Sequence, residues 1–542
     1  MKAEDLLRRQ EQLAGARATW ESHWQEVADY VLPRRADIVA RSTRGAKRTE
    51  KLFDATAIHA NELLAAALHA MLTNPATRWF DLRLAQPAGM RTDPAARLWL
   101  QRAADMLIEA FTESNLAPQL HELYLDLGCF GTGCLYVEEE AGGLRFSTRH
   151  PAEIFVAESA HGTIDTVYRR FVFTARQAVQ QFGAEALGPR LRGAAAKTPD
   201  AEFGFVHAVL PRAERGPGKA GNRNLPYASI YVSVDDRAIV SESGYHEFPY
   251  MVPRWAKVSG EVYGRSPGMT VLPDVKMLNE ICRTTLRAAQ KAVDPPLMMP
   301  DDGFLGPVRA MPGGINYYRA GTADRIEPLV TGGNVGLGLE IEEQRRALIR
   351  SAFFIDLLQL AGGPQMTATE VLQRTDEKLR LLGPLLGRLQ SELLRPLIIR
   401  AVGVLGRAGR LPPAPPSLLG ASLEIDYISP IARAQRAEEV QAMSRAWEAV
   451  APFAGANPEM LDLIDGDRLL RHVVDRLGGP AGVLRSNGAV AKLRRERKQA
   501  AAGAIGGGAH GRTALAQDLP AGLQALLGEA GGAPRGANGG RA

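Results

Sequence analysis

Apolar residues recur along this chain first at helical spacing, then in alternation, then at helical spacing again. Residues 4–31 predict a helix in which Trp20 and Trp24, four apart, share a face with Val27 and Val31 nearby, and Pro33 ends the pattern. Residues 34–50 are polar and rich in arginine and predict a loop or arm. A second helix starts at Asp54, a good N-cap, and carries Asn61, Leu63, Leu64, Ala67, Leu68 and Leu72 before Asn74-Pro75 stops it. Arg78–Leu82 predicts a strand and residues 94–117 a further helix.

Between about 134 and 255 the period changes to two. Cys134–Val137, then Ala141-Gly142-Gly143, then Leu144–Phe146 form a hairpin signal. Val167, Arg169, Phe171 and Phe173 alternate with their neighbours, and Thr174-Ala175-Arg176-Gln177 opens a helix with a capping box. Two short strands are expected on either side of Asp235-Asp236. This middle region predicts an antiparallel α+β fold, and the whole chain an α+β protein that is mostly helical.

From residue 269 helical spacing returns. Met269–Val293 predicts one helix about 37 Å long at 1.5 Å per residue, ended by Asp294-Pro295-Pro296. Residues 297–337 are rich in Pro and Gly, with "MPGGINYY" at 311–318 expected as turn and strand. Leu339–Leu360 predicts a second long helix, ended by Gly362-Gly363-Pro364, where glycine frees φ and proline cannot continue the helix. Thr367 and Glu370 then form a second capping box, so a third helix, about 368–406 with possible kinks at Pro384 and Pro396, follows a short loop. "LEIDYIS" at 423–429 predicts a strand and residues 431–480 further helices. The basic run Lys492-Leu493-Arg494-Arg495-Glu496-Arg497-Lys498 reads as a solvated helix face more readily than as a nucleic-acid contact, and the Gly/Ala-rich stretch after it predicts disorder.

Composition narrows the class. With 542 residues, 45% hydrophobic and 23% charged, the chain can build several modules, and a net charge of +5 does not by itself name a polyanionic partner. Cys129, Cys134 and Cys282 match no zinc spacing and predict reduced thiols in a cytosolic compartment. No apolar run is long enough for a membrane span, and the start of the chain lacks the apolar core of a signal peptide.

No catalytic constellation emerges. "GPGKAG" at 216–221 lacks the offsets of a phosphate loop, and neither a nucleophile elbow nor a His-Glu-x-x-His pair is present. "GCFGTGC" at 128–134 precedes a strand rather than a helix and reads as a tight turn, not a phosphate cradle. Asp301-Asp302-Gly303 lacks the spaced partners of a calcium loop, and His59 and His69 are ten residues apart, so no metal or cofactor is expected. One pattern is notable. Lys276, Arg283, Arg287 and Lys291 fall within about 80° of one another on a helix, broadly opposite Val271, Val275, Leu278, Cys282, Leu286, Ala289 and Val293. Such a basic stripe either faces a polyanion, is solvated, or pairs with acids such as Glu340, Glu342 and Glu343 on the next long helix.

Several phrases in this order resemble the portal, or head-to-tail connector, proteins of short-tailed double-stranded DNA phages: "WQEVADYVLPRR" (24–35), "KLFDATAIHANELLAAALHAMLTNPATRWFDL" (51–82), "LYLDLGCFGTGCLYVEE" (123–139), "GYHEFPYMVPRW" (244–255), "EVYGRSPGMTVLPDVKMLNE" (261–280), "KAVDPPLMMPDDG" (291–303), and "MTATEVLQRTDEKLRLLGPLLGRLQSELLRPLI" (366–398). The resemblance implies a non-enzymatic dodecameric ring around a DNA channel. It implies a wing within 1–268, stem helices at 269–293 and 339–361 and a clip at 294–338. A tunnel loop at 362–367, carrying Gly362, Gly363, Pro364, Gln365 and Met366, would precede a wing helix and strand at 368–430. A helical crown at 431–485 and a tail at 486–542 would follow.

It further implies a virion protein at a capsid vertex, assembled in the host cytoplasm. Its partners would be double-stranded DNA, the terminase large subunit, the major capsid and scaffolding proteins, and tail adaptor or tail-tube proteins. A tail adaptor ring and a nucleic-acid enzyme are the alternatives. Twelve helices about 10 Å apart make a ring about 38 Å across, leaving a lumen of about 28 Å, wide enough for a duplex. A nearly neutral chain suits a conduit better than a strongly basic one, because each phosphate neutralised tightens binding.

Overall fold

The computed structural model describes residues 2–84 apart from 41, 42 and 44, then 94–213, 221–299, 335–358, 382–418, 423–428, 465–476 and 487–505, with a few short pieces between them. Residues 1–477 form one compact unit and 478–542 another.

In the first unit, helix α1 (Ala3–Val31) buries Leu6, Gln10, Arg17, Trp24, Val27, Ala28 and Val31, a stripe with the spacing of a single helix face. Its N-terminal half packs Leu6 against Phe155, Tyr168, Val206 and Ile230 of a five-stranded antiparallel meander. The meander runs β4 (Ile154–Glu158), β5 (Ile164–Thr174), β6 (Glu202–Pro211), β7 (Tyr227–Ser233), β8 (Ala238–Tyr245). Arg17 is only 2% exposed because it donates to the carbonyls of Pro151 (2.8 Å), Ala152 (2.9 Å) and Ile154 while pairing with Glu21 at 2.6 Å. A buried guanidinium is tolerated only when its donors are satisfied in this way.

The expected helix at 94–117 is α3 (Pro94–Glu113), and a further helix that the pattern did not predict, α4 (Leu116–Phe130), follows it. Residues Leu123–Phe130 are all buried, so the second half of α4 has no polar face and no amphipathic signature from which to read it. It lies against α2 (Thr56–Leu72), whose N-cap is Ala55 and not the expected Asp54; Asp54 stands one residue earlier and accepts from the Thr56 amide at 2.8 Å. The glycines of "GCFGTGC" therefore divide. Gly128 lies inside α4, where a Cβ would sit 1.9 Å from Asn61 Oδ1. Gly131 is the left-handed C-cap at φ +71°, where a Cβ would sit 2.4 Å from the Gly264 carbonyl.

The hairpin β2 (Leu135–Glu140) and β3 (Gly143–Thr148) follows as expected, turning at Ala141 and Gly142 with positive φ, and β2 also pairs with β9 (Tyr250–Met251). The Thr174–Gln177 capping box starts α5 (Ala175–Phe182), and α6 (Pro189–Lys197) packs beside it. Strand β1 (Phe80–Leu84) pairs with the distant β12 (Leu423–Tyr427).

Helix α7 (Pro267–Val293) is the expected long helix. Its antiparallel neighbour α8 (Val335–Ala352) begins four residues before the expected Leu339 and ends earlier, at Phe353-Phe354, where Phe354 takes φ +60° before the short α9 (Ile355–Leu358). Between them β10 (Leu297–Met298) pairs with β11 (Glu327–Pro328); of "MPGGINYY" only 315–317 are described, and they are not a strand. Of the expected third helix, 368–381 lie outside the described residues. The remainder is helical, with a π-helical turn at Gln390–Leu394 leading into α10 (Arg395–Arg407). Pro396 explains the wide turn: it has no N–H to donate, and its ring would crowd the carbonyl four residues back. Arg254 grips this turn, with Nη2 2.6 Å and its backbone amide 2.9 Å from the Glu392 carboxylate. The helix α11 (Gly466–Arg476) falls within the helical 431–480 region, most of which is outside the described residues, and the second unit contributes α12 (Asn487–Ile505).

Gly131→Ala combines backbone strain with a clash against backbone, and should cost about 2–4 kcal/mol. Gly142→Ala, at φ +76° with open space around it, should cost about 1 kcal/mol. Chemical denaturation of both variants checks the ratio; equal losses would remove the Gly131–Gly264 contact as the cause.

Candidate functional site: the α7–α8 projection

The base of α7 is built by its neighbours. Ser266 caps the helix, accepting from the Met269 amide at 2.9 Å, and its hydroxyl donates to the Cys129 carbonyl at 2.7 Å. The end of α4 thus fixes where α7 starts. Val271, Leu272, Val275, Leu278 and Cys282 are buried. Asn279 ties in the segment before α2, accepting from the Phe53 amide at 2.7 Å and donating to the Lys51 carbonyl at 2.9 Å. Beyond Cys282 the burial fades. Leu286 and Val293, expected on the apolar face, are 51% and 87% exposed. They continue the correct face past the point where it is buried in this subunit.

Helix α8 runs back along α7. Gly338 meets Thr285 so closely that a Cβ there would lie 2.7 Å from Thr285 Oγ1. Arg345 pairs with Asp274 at 2.7 Å, and Arg346 pairs with Asp54 at 3.0 Å and Glu342 at 2.9 Å. Burial alone would raise the Asp54 carboxyl, but the hydrogen bonds from Thr56 and the Arg346 guanidinium hold it below its ordinary value. Burial and then the Glu342 and Asp54 carboxylates push the Cys282 thiol up to about 11. Cys129 and Cys134 are buried and free as well, their thiols also pushed up by burial, so none of the three has thiolate character near neutrality.

The basic stripe divides along the helix. Lys276 reaches Glu26 of α1, and Arg283 pairs with Glu280 at 3.5 Å and lies 5.8 Å from the Phe53 ring centre. Arg287 and Lys291 are exposed near the far end. The acids expected to face this stripe turn elsewhere: Glu342 serves Arg346, and Glu343 serves Arg350 at 3.0 Å. The cross-helix pairing therefore has the opposite sense, with α8 supplying cations and α7 and the start of α2 supplying acids. The run "EEQRR" at 342–346 carried the signal, since its charges recur at i, i+3 and i+4. Gly362, Gly363, Pro364, Gln365, Met366, Thr367 and Glu370 lie outside the described residues. Among the described residues no group of His, Cys, Asp and Glu could hold a metal ion, and no helix is long and apolar enough to cross a membrane.

The uncovered surface of the projection is apolar on two sides. On a wheel of about 100° per residue, Met277, Ile281, Thr284 and Ala288 form one stripe of α7, and Leu337, Ile341, Gln344 and Leu348 one stripe of α8. Each stripe is turned about 100° in the same sense from the seam between the helices, which in an antiparallel pair brings both to the same broad side. There Met277, Leu337 and Leu348 are 47%, 55% and 52% exposed. The opposite side carries Leu286, Val293 and Leu339, all at least half exposed.

A family model described as bacteriophage head to tail connecting protein matches residues 3–484. The chain belongs to that family. It is 34% identical to the probable portal protein of Bordetella phage BPP-1, over 91% of this chain and 90% of that protein. It is 32% identical to the portal protein of Salmonella phage epsilon15, over 92% of each. Among solved structures, it is similar to a chain in the virion of a native gene transfer agent particle, at 13% identity and a TM-score of 0.35, covering 78% of this chain and 95% of that one.

Arg346→Ala leaves the mostly buried Asp54 and Glu342 carboxylates without their cation and should cost about 2–4 kcal/mol. Because the folded Asp54 carboxyl is depressed, its contribution is present above the unfolded value near 3.8 and is lost as pH falls through the folded value. Asp54→Asn should therefore reduce stability at pH 7 and have little effect near pH 2. Urea unfolding across that range checks the sign; an equal loss at both pH values would contradict it.

Proposed function

We propose that this chain is the portal protein of a double-stranded DNA phage, working as a ring at one capsid vertex through which the genome is packaged and ejected. Family membership and two portal-protein relatives at 32–34% identity over nine-tenths of the chain support it. The family is a structural one, and neither the tail-adaptor nor the enzyme alternative is favoured by it.

The observation that carries the ring is the two-sided apolar surface of the α7–α8 projection. A two-fold dimer buries the same patch on both copies, and would leave the other broad side of each projection in water. Two different apolar sides call for a head-to-tail contact, and a head-to-tail contact that closes is a ring. Dodecameric closure, with α7 and α8 as stem, gives the lumen of about 28 Å estimated from helix packing. In this reading residues 294–338 form the clip, 1–268 and 368–430 the wing, 431–485 the crown, and Gly362–Met366, braced by the Thr367–Glu370 cap, the tunnel loop. Arg287 and Lys291 line the channel or the subunit boundary, and Lys276 and Arg283 brace the stem base. The partners would be the terminase large subunit during packaging, the capsid and scaffolding proteins at the vertex, and tail adaptor or tail-tube proteins afterwards.

Complementation of a phage lacking this gene tests the assignment. Deleting Gly362–Gln365 should preserve incorporation into capsids and reduce nuclease-protected DNA by tenfold or more. Leu337→Asp with Leu348→Asp should abolish incorporation. Full packaging by the loop deletion would sink the tunnel-loop role, and normal incorporation of the double variant would sink the role of the apolar side.

A further inference from the structure

The two-helix projection has two broad sides and two narrow edges, and the edges differ in charge. On α7 the seam is marked by Val275, Leu278, Cys282 and Thr285, and Arg287 and Lys291 each lie within about 20° of the point directly opposite it. On α8 the seam is marked by Gly338, Glu342, Arg345 and Ile349, and Glu340 lies within about 10° of the opposite point. All three charged residues are exposed. Their neighbours are engaged: Arg283 with Glu280, Glu342 with Arg346, Glu343 with Arg350. Among the described residues Arg287, Lys291 and Glu340 have no side-chain hydrogen bond or ion pair. They stand on opposite edges with both helices between them, so the cations and the acid do not meet within one copy.

A closed ring supplies the missing partner. Its copies are related by rotation alone, so with the projection along the ring axis a residue at one height in one copy meets the same height in the next. Gly338 stands against Thr285, which in an antiparallel pair puts Glu340 level with Arg283 and four residues, about 6 Å, from Arg287. The long Arg287 side chain spans that offset. Two oblique head-to-tail contacts are open to such a projection. In the first, the α7 edge with Leu286 beside it meets the α8 edge with Leu337 and Leu348 beside it. Arg287 then faces Glu340, with half-exposed leucines on both flanks. The second contact turns Arg287 away from the neighbour and leaves Lys291 on that side, eight residues and about 12 Å from the level of Glu340. Charge and height together select the first.

We infer that Arg287 of one copy pairs with Glu340 of the next, so that α7 of each projection abuts α8 of its neighbour. The inference rests on the head-to-tail ring of the portal reading and deepens it: it sets Arg287 at the subunit boundary and gives the contact a direction. The apolar sides drive association, and they are alike enough that they do not by themselves choose between the two oblique contacts. The ion pair makes that choice, because opposite charges fix register and a like-charge juxtaposition is strongly disfavoured. Leu286, Leu337 and Leu348 beside the pair exclude water from it, which strengthens the discrimination.

The test is ring assembly of purified full-length protein at about 100 mM NaCl, read by size-exclusion chromatography and negative-stain imaging over a concentration series. R287E and E340R each put like charges at every boundary and should raise the concentration for half-assembly about tenfold or more. R287K keeps the charge and should assemble as the parent does. The double variant R287E/E340R should recover assembly. So should an equal mixture of the two single variants, because alternating copies then meet opposite charges at every boundary. A pair formed within one copy is not rescued by mixing, and rescue also shows that both single variants fold. Normal assembly of either single reversal overturns the inference, as does a double variant or a mixture that fails to recover rings. Rings in the parent together with unaffected reversals overturn this pair alone, whereas a parent that forms no ring overturns the portal assembly and this pair with it.

Discussion

The close approach of Gly131 to Gly264 sets the geometry on which the rest depends. Helix α4 stops at Phe130 because Gly131 turns left-handed, and the two glycine backbones come close enough that a Cβ on either would lie within 2.4 Å of the other's carbonyl oxygen. That proximity lets Ser266 reach the Cys129 carbonyl while capping α7. The direction of a 27-residue helix is thus set at its first turn by a contact that tolerates no side chain. Trp24 completes the junction, donating to the Phe130 carbonyl at 3.1 Å and meeting Tyr263 edge-on at 5.1 Å.

From that base the α7–α8 pair leaves the core, and its energetics change along its length. Near the body it is held by burial of Val275, Leu278 and Ile349 and by the arginine pairs to Asp54 and Asp274. Further out, leucines on both broad sides face water in the single subunit. Burying a leucine stabilises by about 1.5–3 kcal/mol, so six apolar side chains per subunit, five about half exposed and Val293 87% exposed, represent a large driving force for association. The ion pairs at the base serve a different end. Breaking one leaves a buried carboxylate without its cation, and together they set the register of α8 on α7, which decides which apolar residues line up on each side.

Much of this was legible in the sequence, for identifiable reasons. Amphipathic helices such as α1 and α7, the β2–β3 hairpin at Ala141-Gly142 and the Thr174–Gln177 capping box announce themselves through local periodicity or turn chemistry. Helix α4 did not, because its second half, Leu123–Phe130, is buried on all sides and has no polar face to set its period, and its glycines suggested a turn. The break at Phe353-Phe354 was also invisible, since a phenylalanine with positive φ is imposed by tertiary packing and not by local preference. At the projection, the basic stripe was visible but its partners were not. Acids and bases at helical spacing can pair within a helix or across a seam, and register alone decides between them. The exposure of Leu286 and Val293 could not be read from a pattern that records only which face is apolar, not what covers it. The family phrases reached further than periodicity, because they carry order and spacing across most of the chain.

The central claim is that the two apolar sides of the α7–α8 projection are buried against neighbouring copies in a closed head-to-tail ring. Negative-stain electron microscopy of the purified protein tests it most directly. Rings of about twelve subunits around a central hole are the result this account predicts. A protein that stays monomeric, or stops at a two-fold dimer, at micromolar concentration and across salt conditions would contradict it.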